Sequence, residues 1–307
     1  MRGAKRTLLA AAAAVLLTAG PALCQQRSKP PTPDHANVRY GPDERNVFDV
    51  WLAKSSKPTP LVIFYHGGGF RNGDKRAAIN VQTLKRLTEM GITVAAANYR
   101  LSGTAPFPAQ MHDCALALQY IRLHAADYNI DPARVGATGG SAGAGISQWL
   151  AFHDDLAEPH SPDPVRRQST RLSAAMAYAA QTSYDPRFIK KLMNTDQVDG
   201  ALIPFFGMES AADADNPKFF PLFEEASPIN HLTADDPPVM IFYKQRNDPL
   251  PPNSAGRLHI HHPNFGPPLK RKADQLGVEC EILYREQHPD SEPVDRYVEF
   301  FVEKLRP

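Results

Sequence analysis

The sequence predicts an α/β fold with a mostly parallel central sheet and helices on both faces. Three observations lead there. Short continuous apolar runs such as Leu61–Tyr65 and Val239–Tyr243 read as strands buried on both faces. They alternate with stretches of helical apolar spacing, the order that joins parallel strands through crossover helices. One run, Arg134–Thr138, leads straight into Gly139-Gly140-Ser141-Ala142-Gly143 and then a helix.

Composition supports a large core. The chain has 307 residues, 42% hydrophobic and 22% charged, which is ordinary for a globular protein. A formal net charge of +1, with no basic stripe among aromatics, argues against nucleic acid or an anionic membrane surface as partner. The 29 prolines predict long, stiffened connections. Arg2, Lys5 and Arg6 precede an apolar run, Leu8–Ala19, of 12 residues. A spanning helix needs roughly 20, so no stable membrane insertion is expected. Residues 1–24 read as a signal peptide cleaved after Ala22-Leu23-Cys24, and the mature chain is expected in the periplasm or secreted. A lipid anchor on Cys24 is the weaker alternative, because Leu23 stands where a small residue is usual. Residues 25–36 read as a polar, proline-rich linker, and 37–307 as one domain. Cys114 and Cys280, on a predicted helix and strand, are expected to be buried free thiols. No cysteine or histidine spacing suggests a metal, and no cofactor is expected.

Along the chain, Asn37–Tyr40 and Asn46–Leu52 predict two strands around Gly41-Pro42-Asp43-Glu44. Leu61–Tyr65 is a strand entering His66-Gly67-Gly68-Gly69-Phe70. Asn80–Met90 is a helix ending at Gly91, Ile92–Asn98 a strand, and Met111–His124 a helix with Cys114, Leu118 and Ile121 on one face. Arg171–Ala180 is the next strand. Residues 181–231 form a cap-like insertion rich in phenylalanine (Phe205, Phe206, Phe219, Phe220, Phe223), read equally as core packing or as an acyl pocket. Val239–Tyr243, Leu269–Leu276, Cys280–Tyr284 and Pro293–Leu305 complete the chain as strand, helix, strand and helix.

The chemistry lies in two glycine-rich turns. A serine on a sharp strand-to-helix turn presents its hydroxyl outward, and flanking glycines avoid collisions with the adjoining strand and helix. Consecutive glycines after an earlier buried strand let several backbone N–H groups converge where negative charge develops. Together they point to nucleophilic catalysis at Ser141.

With both turns placed, the chain resembles the α/β-hydrolase family, and most of all its small bacterial esterase branch of hormone-sensitive-lipase-like and feruloyl-esterase-like enzymes. The matching residues are His66–Phe70, Asn98-Tyr99-Arg100-Leu101, Asp113, Ile130–Val135, Gly140–Gly143, and Ala226-Ser227-Pro228 before Pro237-Pro238. The resemblance implies an α/β-hydrolase fold and a triad in the order serine, acid, histidine. Ser141 would be the nucleophile, with Gly68, Gly69 and Ala142 supplying the oxyanion-hole N–H groups. Asp248, in Asp248-Pro249-Leu250-Pro251, would be the acid and His288, after the last strand, the base. A gap-free alignment would put Asn247 in the acid position instead, and Glu286 is a further candidate beside His288. Asp235 and Asp236 precede their strand and would lie at the wrong end of the sheet. Two departures stand out: Tyr243-Lys244 replaces the usual His-Gly, and Pro289 follows His288 where glycine is usual. The stretch Pro251–Pro268 is longer than expected and carries His259, His261 and His262, ranked behind His288 because they do not follow the last strand.

The expected function is an exported serine esterase acting through an acyl-enzyme on a small-molecule or polysaccharide-linked ester, with no metal. A hydrolase-fold binding protein that has lost turnover, and a peptidase sharing the triad, are the alternatives. The sequence does not specify the acyl group or the oligomeric state.

Overall fold

The backbone alternates strand and helix nearly where the apolar pattern puts them. The computed structural model describes residues 30–289 and 293–306, apart from the side chains of residues 77 and 78. The expected signal peptide and Cys24 lie outside the described residues. Among those described, the strands are β1 (His35–Arg39), β2 (Val47–Trp51), β3 (Thr59–Tyr65), β4 (Thr93–Ala97), β5 (Ile130–Gly140), β6 (Ala174–Tyr178), β7 (Val239–Tyr243) and β8 (Cys280–Tyr284). They form one sheet in the order β1-β2-β4-β3-β5-β6-β7-β8. The β1–β2 and β2–β4 pairs are antiparallel, and every later pair is parallel.

Alternation along each strand divides the core into two layers. Leu61, Ile63 and Tyr65 of β3 face the layer packed by the helices Ala109–Leu123, Ala142–Phe152 and Gly266–Leu276. Val62 and Phe64 face the other, packed by Val81–Glu89 and Val294–Lys304. Every residue of β4 and β7 is buried, which is why these strands read as unbroken apolar runs. The Val81–Glu89 helix starts at Asn80, whose side chain accepts from the N–H groups of Gln82 and Thr83. It stops at Gly91, whose φ of +81° suits glycine. Cys114 and Cys280 are free and buried, as expected.

Asp49 interrupts β2 with a charge. It is buried, and the Lys75 ammonium lies 3.2 Å from its carboxylate. The Asn37 N–H donates to the other carboxylate oxygen at 2.7 Å, so the charge is both paired and hydrogen-bonded.

One boundary differs from expectation. β1 begins at His35, so the end of the expected 25–36 linker belongs to the sheet. Before it, Pro31 O accepts from Trp51 Nε1 at 2.8 Å, and the Asp34 carboxylate accepts from Leu52 N at 2.8 Å. The chain entering β1 thus takes up a side-chain N–H and a backbone N–H at the end of β2.

Between β6 and β7 the chain forms the short helices Pro186–Met193, Leu202–Phe206, Phe220–Ala226 and Pro228–His231. Phe205, Phe206, Phe219 and Phe223 are buried there. Phe205 stacks on Phe70 of the glycine loop with centroids 4.1 Å apart, and Phe206 meets Phe223 edge-on at 4.7 Å. These contacts are those of packing: Phe205 backs the glycine loop and Phe206 and Phe223 pack on each other.

Candidate active site

Ser141 sits at the tip of the turn between β5 and the Ala142–Phe152 helix, with φ 55° and ψ −118°. A non-glycine residue there stores roughly 1–3 kcal/mol of strain, which the surrounding structure must hold. The turn is locked from both sides. Ser141 N donates to Tyr178 O of β6 at 2.9 Å. A Cβ on Gly139 would lie 2.5 Å from Tyr65 O, and one on Gly143 only 2.0 Å from the same atom. Those clashes are the physical reason for glycine at both positions.

The Ser141 hydroxyl meets a histidine from the loop after β7. His261 Nε2 lies 2.8 Å from Ser141 Oγ. The sequence reading places His288 in this position. Although His288 follows β8, its ring lies edge-on to Phe242 at 6.1 Å. Phe242 belongs to the core layer under Val294–Lys304, whereas the serine helix packs on the opposite face of the sheet. Asp248 is the expected acid. Its carboxylate is 68% exposed and lies 3.2 Å from Arg246 Nε. Its contact with the histidine cluster is through its carbonyl, which accepts from His262 Nε2 at 3.0 Å. Asn247 N donates to the Glu286 carboxylate at 3.1 Å, which engages both remaining candidates with each other in an exposed contact.

His259 and His262 fix the loop that delivers His261. His262 Nδ1 accepts from Asn264 N, which leaves the proton on Nε2 for the Asp248 carbonyl. His259, buried, has Nε2 2.7 Å from Ser254 Oγ. Three histidines thus divide into one that faces the serine and two that hold it there.

Burial lowers the pKa of His261 below the ordinary imidazole value, and the Asp199 carboxylate opposes that shift. Asp199 comes from the β6–β7 connection and was not singled out in the sequence. Its carboxylate caps the turn into Leu202–Phe206 by accepting from Ala201 N at 2.7 Å. A Cβ on Gly256, at the start of the turn that leads to His261, would lie 3.1 Å from the Asp199 Cα. The same short segment backs the other half of the site. Ala201 Cβ would stand 3.2 Å from a Cβ on Gly69, and Phe205 stacks on Phe70.

The glycine loop abuts the elbow. A Cβ on Gly67 would lie 2.7 Å from Gly140 O and 3.4 Å from Ser141 Cβ. Gly68 and Gly69 have φ of +108° and +59°, and a Cβ on Gly68 would strike Asn72 O at 2.2 Å. Ala142 opens the serine helix, so its N–H is among the first-turn donors with no intrahelical carbonyl. His66 anchors the loop from behind. Its Nδ1–H donates to Gly67 O at 2.8 Å, and Nε2 accepts from Arg45 at 3.2 Å. Burial pulls its pKa down to about 4, so the ring is a neutral strut. Tyr99 stacks on it at 4.2 Å and donates its hydroxyl to His66 O. Next to this strut, Arg100 grips the buried Asp113 through Nε and Nη2 at 2.7–3.1 Å. That pairing explains why both residues accompany the glycine loop.

The BD-FAE family model matches residues 48–260, more than half of the chain. The chain belongs to the BD-FAE family. The BD-FAE match takes in the glycine loop and Ser141 and stops one residue short of His261. Esterase LipQ of Mycobacterium tuberculosis is 29% identical over 229 residues, 72% of this chain and 51% of LipQ. The chain spans about half the length of the curated relatives it matches. Among solved structures, a truncated carbohydrate esterase from gut microbiota superposes with a TM-score of 0.68 at 20% identity, covering 91% of this chain and 99% of that one. An acetyl ester-xyloside bifunctional hydrolase from Caldicellulosiruptor lactoaceticus gives 0.65 at 19% identity, over 92% and 96%. These likenesses, with the sheet order, show the α/β-hydrolase fold that the sequence resemblance implied.

Proposed function

We propose that this BD-FAE member is a serine carboxylesterase in which Ser141 is the nucleophile and His261 the base. The single observation that carries the reading is the 2.8 Å contact from His261 Nε2 to a serine held in strained elbow geometry. Nε2 takes the hydroxyl proton as Ser141 Oγ attacks the ester carbonyl carbon. The N–H groups of Gly68, Gly69 and Ala142 receive the developing oxyanion. The imidazolium then protonates the leaving alcohol, and water, deprotonated by the same nitrogen, cleaves the acyl-enzyme. Asp199 supplies the negative field that favours imidazolium in the transition state, the role the sequence assigned to Asp248.

An acyl ester on a carbohydrate is the substrate class we favour. The names of two structural neighbours, a carbohydrate esterase and an acetyl ester-xyloside hydrolase, support it. Export as a signal-peptide-bearing protein fits such a substrate and rests on Arg2, Lys5, Arg6 and Leu8–Ala19. No helix among the described residues is long and apolar enough to cross a membrane. The test is covalent labelling by a fluorophosphonate, followed by assays on acetylated xylan and a peptide anilide. Labelling of wild type but not of Ser141→Ala, with acetate released and the anilide untouched, is the expected result. An inert wild type would point instead to a binding protein on this scaffold.

A further inference from the structure

The far end of the serine helix carries a second cluster of chemistry-bearing groups. Ala142–Phe152 ends at His153, and Glu225 and His231 come from the β6–β7 connection, in the last turns of Phe220–Ala226 and Pro228–His231. One donor atom from each of the three lies within 4.8 Å of the others. Sequence spacing does not reveal the cluster, because Glu225 and His231 are far from His153 along the chain.

The hydrogen bonds around the cluster already orient it as ligands are oriented. His153 Nδ1 lies 2.9 Å from Asp154 O, a carbonyl that can only accept, so Nδ1 carries a proton. His153 Nε2 lies 2.9 Å from the Glu225 carboxylate. Both nitrogens therefore face oxygen acceptors, which calls for an imidazolium or for a cation shared between Nε2 and the carboxylate. His231 Nε2 lies 2.7 Å from Glu225 O, so it too gives one N–H to a backbone carbonyl and keeps a lone pair on the other nitrogen. An imidazole whose second N–H is held by a carbonyl is the usual arrangement of a metal-bound histidine. The two rings lie 4.6 Å apart, beside Trp149, whose Nε1 donates to the same Glu225 carbonyl at 2.9 Å. The C-terminal end of the Ala142–Phe152 helix, at His153, places partial negative charge beside the cluster. His153 is 16% exposed and Glu225 47%, so the group opens to solvent on the carboxylate side.

We propose that His153, Glu225 and His231 form a site for a divalent transition-metal ion of the zinc class. Two imidazoles and one carboxylate suit such an ion, with a water in the fourth position. Bound ligand atoms would settle about 3.3 Å from one another, the spacing set by a tetrahedral shell at about 2.0–2.1 Å, so His153 Nε2 and the Glu225 carboxylate would part slightly from 2.9 Å to admit the ion. The ion would tie the C-terminal end of the serine helix to the segment that carries Asp199, far from the ester site.

The experiment is calorimetric titration of untagged, EDTA-treated full-length protein with zinc chloride at pH 7.5. His153→Gln, Glu225→Gln and His231→Ala are compared with His261→Ala, each checked by circular dichroism. Wild type and His261→Ala are expected to bind one equivalent alike. Each cluster variant should weaken binding by more than about tenfold. A wild type that binds no zinc, cluster variants that bind it unchanged, or loss of binding in His261→Ala would each overturn the proposal.

Discussion

His261 and Ser141 meet at 2.8 Å although they stand 120 positions apart in the chain, and the histidine arrives from β7, not from β8. Sheet order makes this economical. β7 is two strands from β5 and β8 is three, so a loop from β8 starts about 5 Å further from the serine. The extended connection after β7 has the length to cover the shorter distance, and Asp248 O and Ser254 fasten it through His262 and His259.

Asp199 should govern the pH dependence of the reaction. The base works when neutral, so activity falls as pH drops through the pKa of His261. Burial lowers that pKa, so the acid limb of kcat/KM should lie below the ordinary imidazole value of about 6.5. Asp199→Asn removes the charge that opposes the shift. The limb should move to still lower pH while kcat falls. A p-nitrophenyl acetate pH–rate profile measures both, and an unmoved limb would remove Asp199 from the mechanism.

Gly69→Val should cripple turnover without unfolding the chain. The residue has φ +59°, and its side chain would press on Ala201 at 3.2 Å, so the loop must shift relative to the ester. Loss of one oxyanion donor typically costs about 10²–10³ in kcat. Steady-state kinetics with circular dichroism as a fold check decides it, and an unchanged kcat would take the loop out of the chemistry.

Much of this was legible in the sequence, and the failures are instructive. β7 falls on the predicted residues because a strand buried on both faces is a continuous apolar run, and the edge strand β8 does so although Glu281 interrupts it and only Cys280 is buried. Ser141 and the glycine loop were legible because their backbone geometry demands glycine. The base was not, because which of two loops at one sheet edge reaches the serine depends on spacing across the sheet. Tyr243-Lys244 and Pro289 were the visible signs that both usual loops had changed. Asp199 carries no local signature, since it lies in the β6–β7 connection, far along the chain from His261.

His66 should make stability pH-dependent. Its pKa is about 4 in the folded chain and about 6.5 unfolded, so the unfolded state binds more protons between those values. Stability contributed by the neutral ring is full above about pH 6.5 and is lost as pH falls towards 4, on the order of 3 kcal/mol in all. Urea melts of wild type and His66→Gln across that range should show a shallower decline in the variant. Parallel curves would mean that His66 is not the titrating group.

Breaking the buried Lys75–Asp49 pair should cost more than replacing it. Lys75→Met leaves the Asp49 carboxylate buried without its cation and should destabilise by about 3–5 kcal/mol. The double replacement Lys75→Met with Asp49→Val should recover most of that loss in the same urea melts. No recovery would show that Asp49 matters through its bond to Asn37 N and not through its charge.

The most direct measurement is the rate of p-nitrophenyl acetate hydrolysis by His261→Ala beside His288→Ala, both shown to be folded. His261→Ala should lose about 10²–10⁴ in kcat, the typical contribution of a general base, while His288→Ala stays near wild type. Collapse of His288→Ala with His261→Ala unharmed would contradict the assignment of the base and return it to the loop after β8.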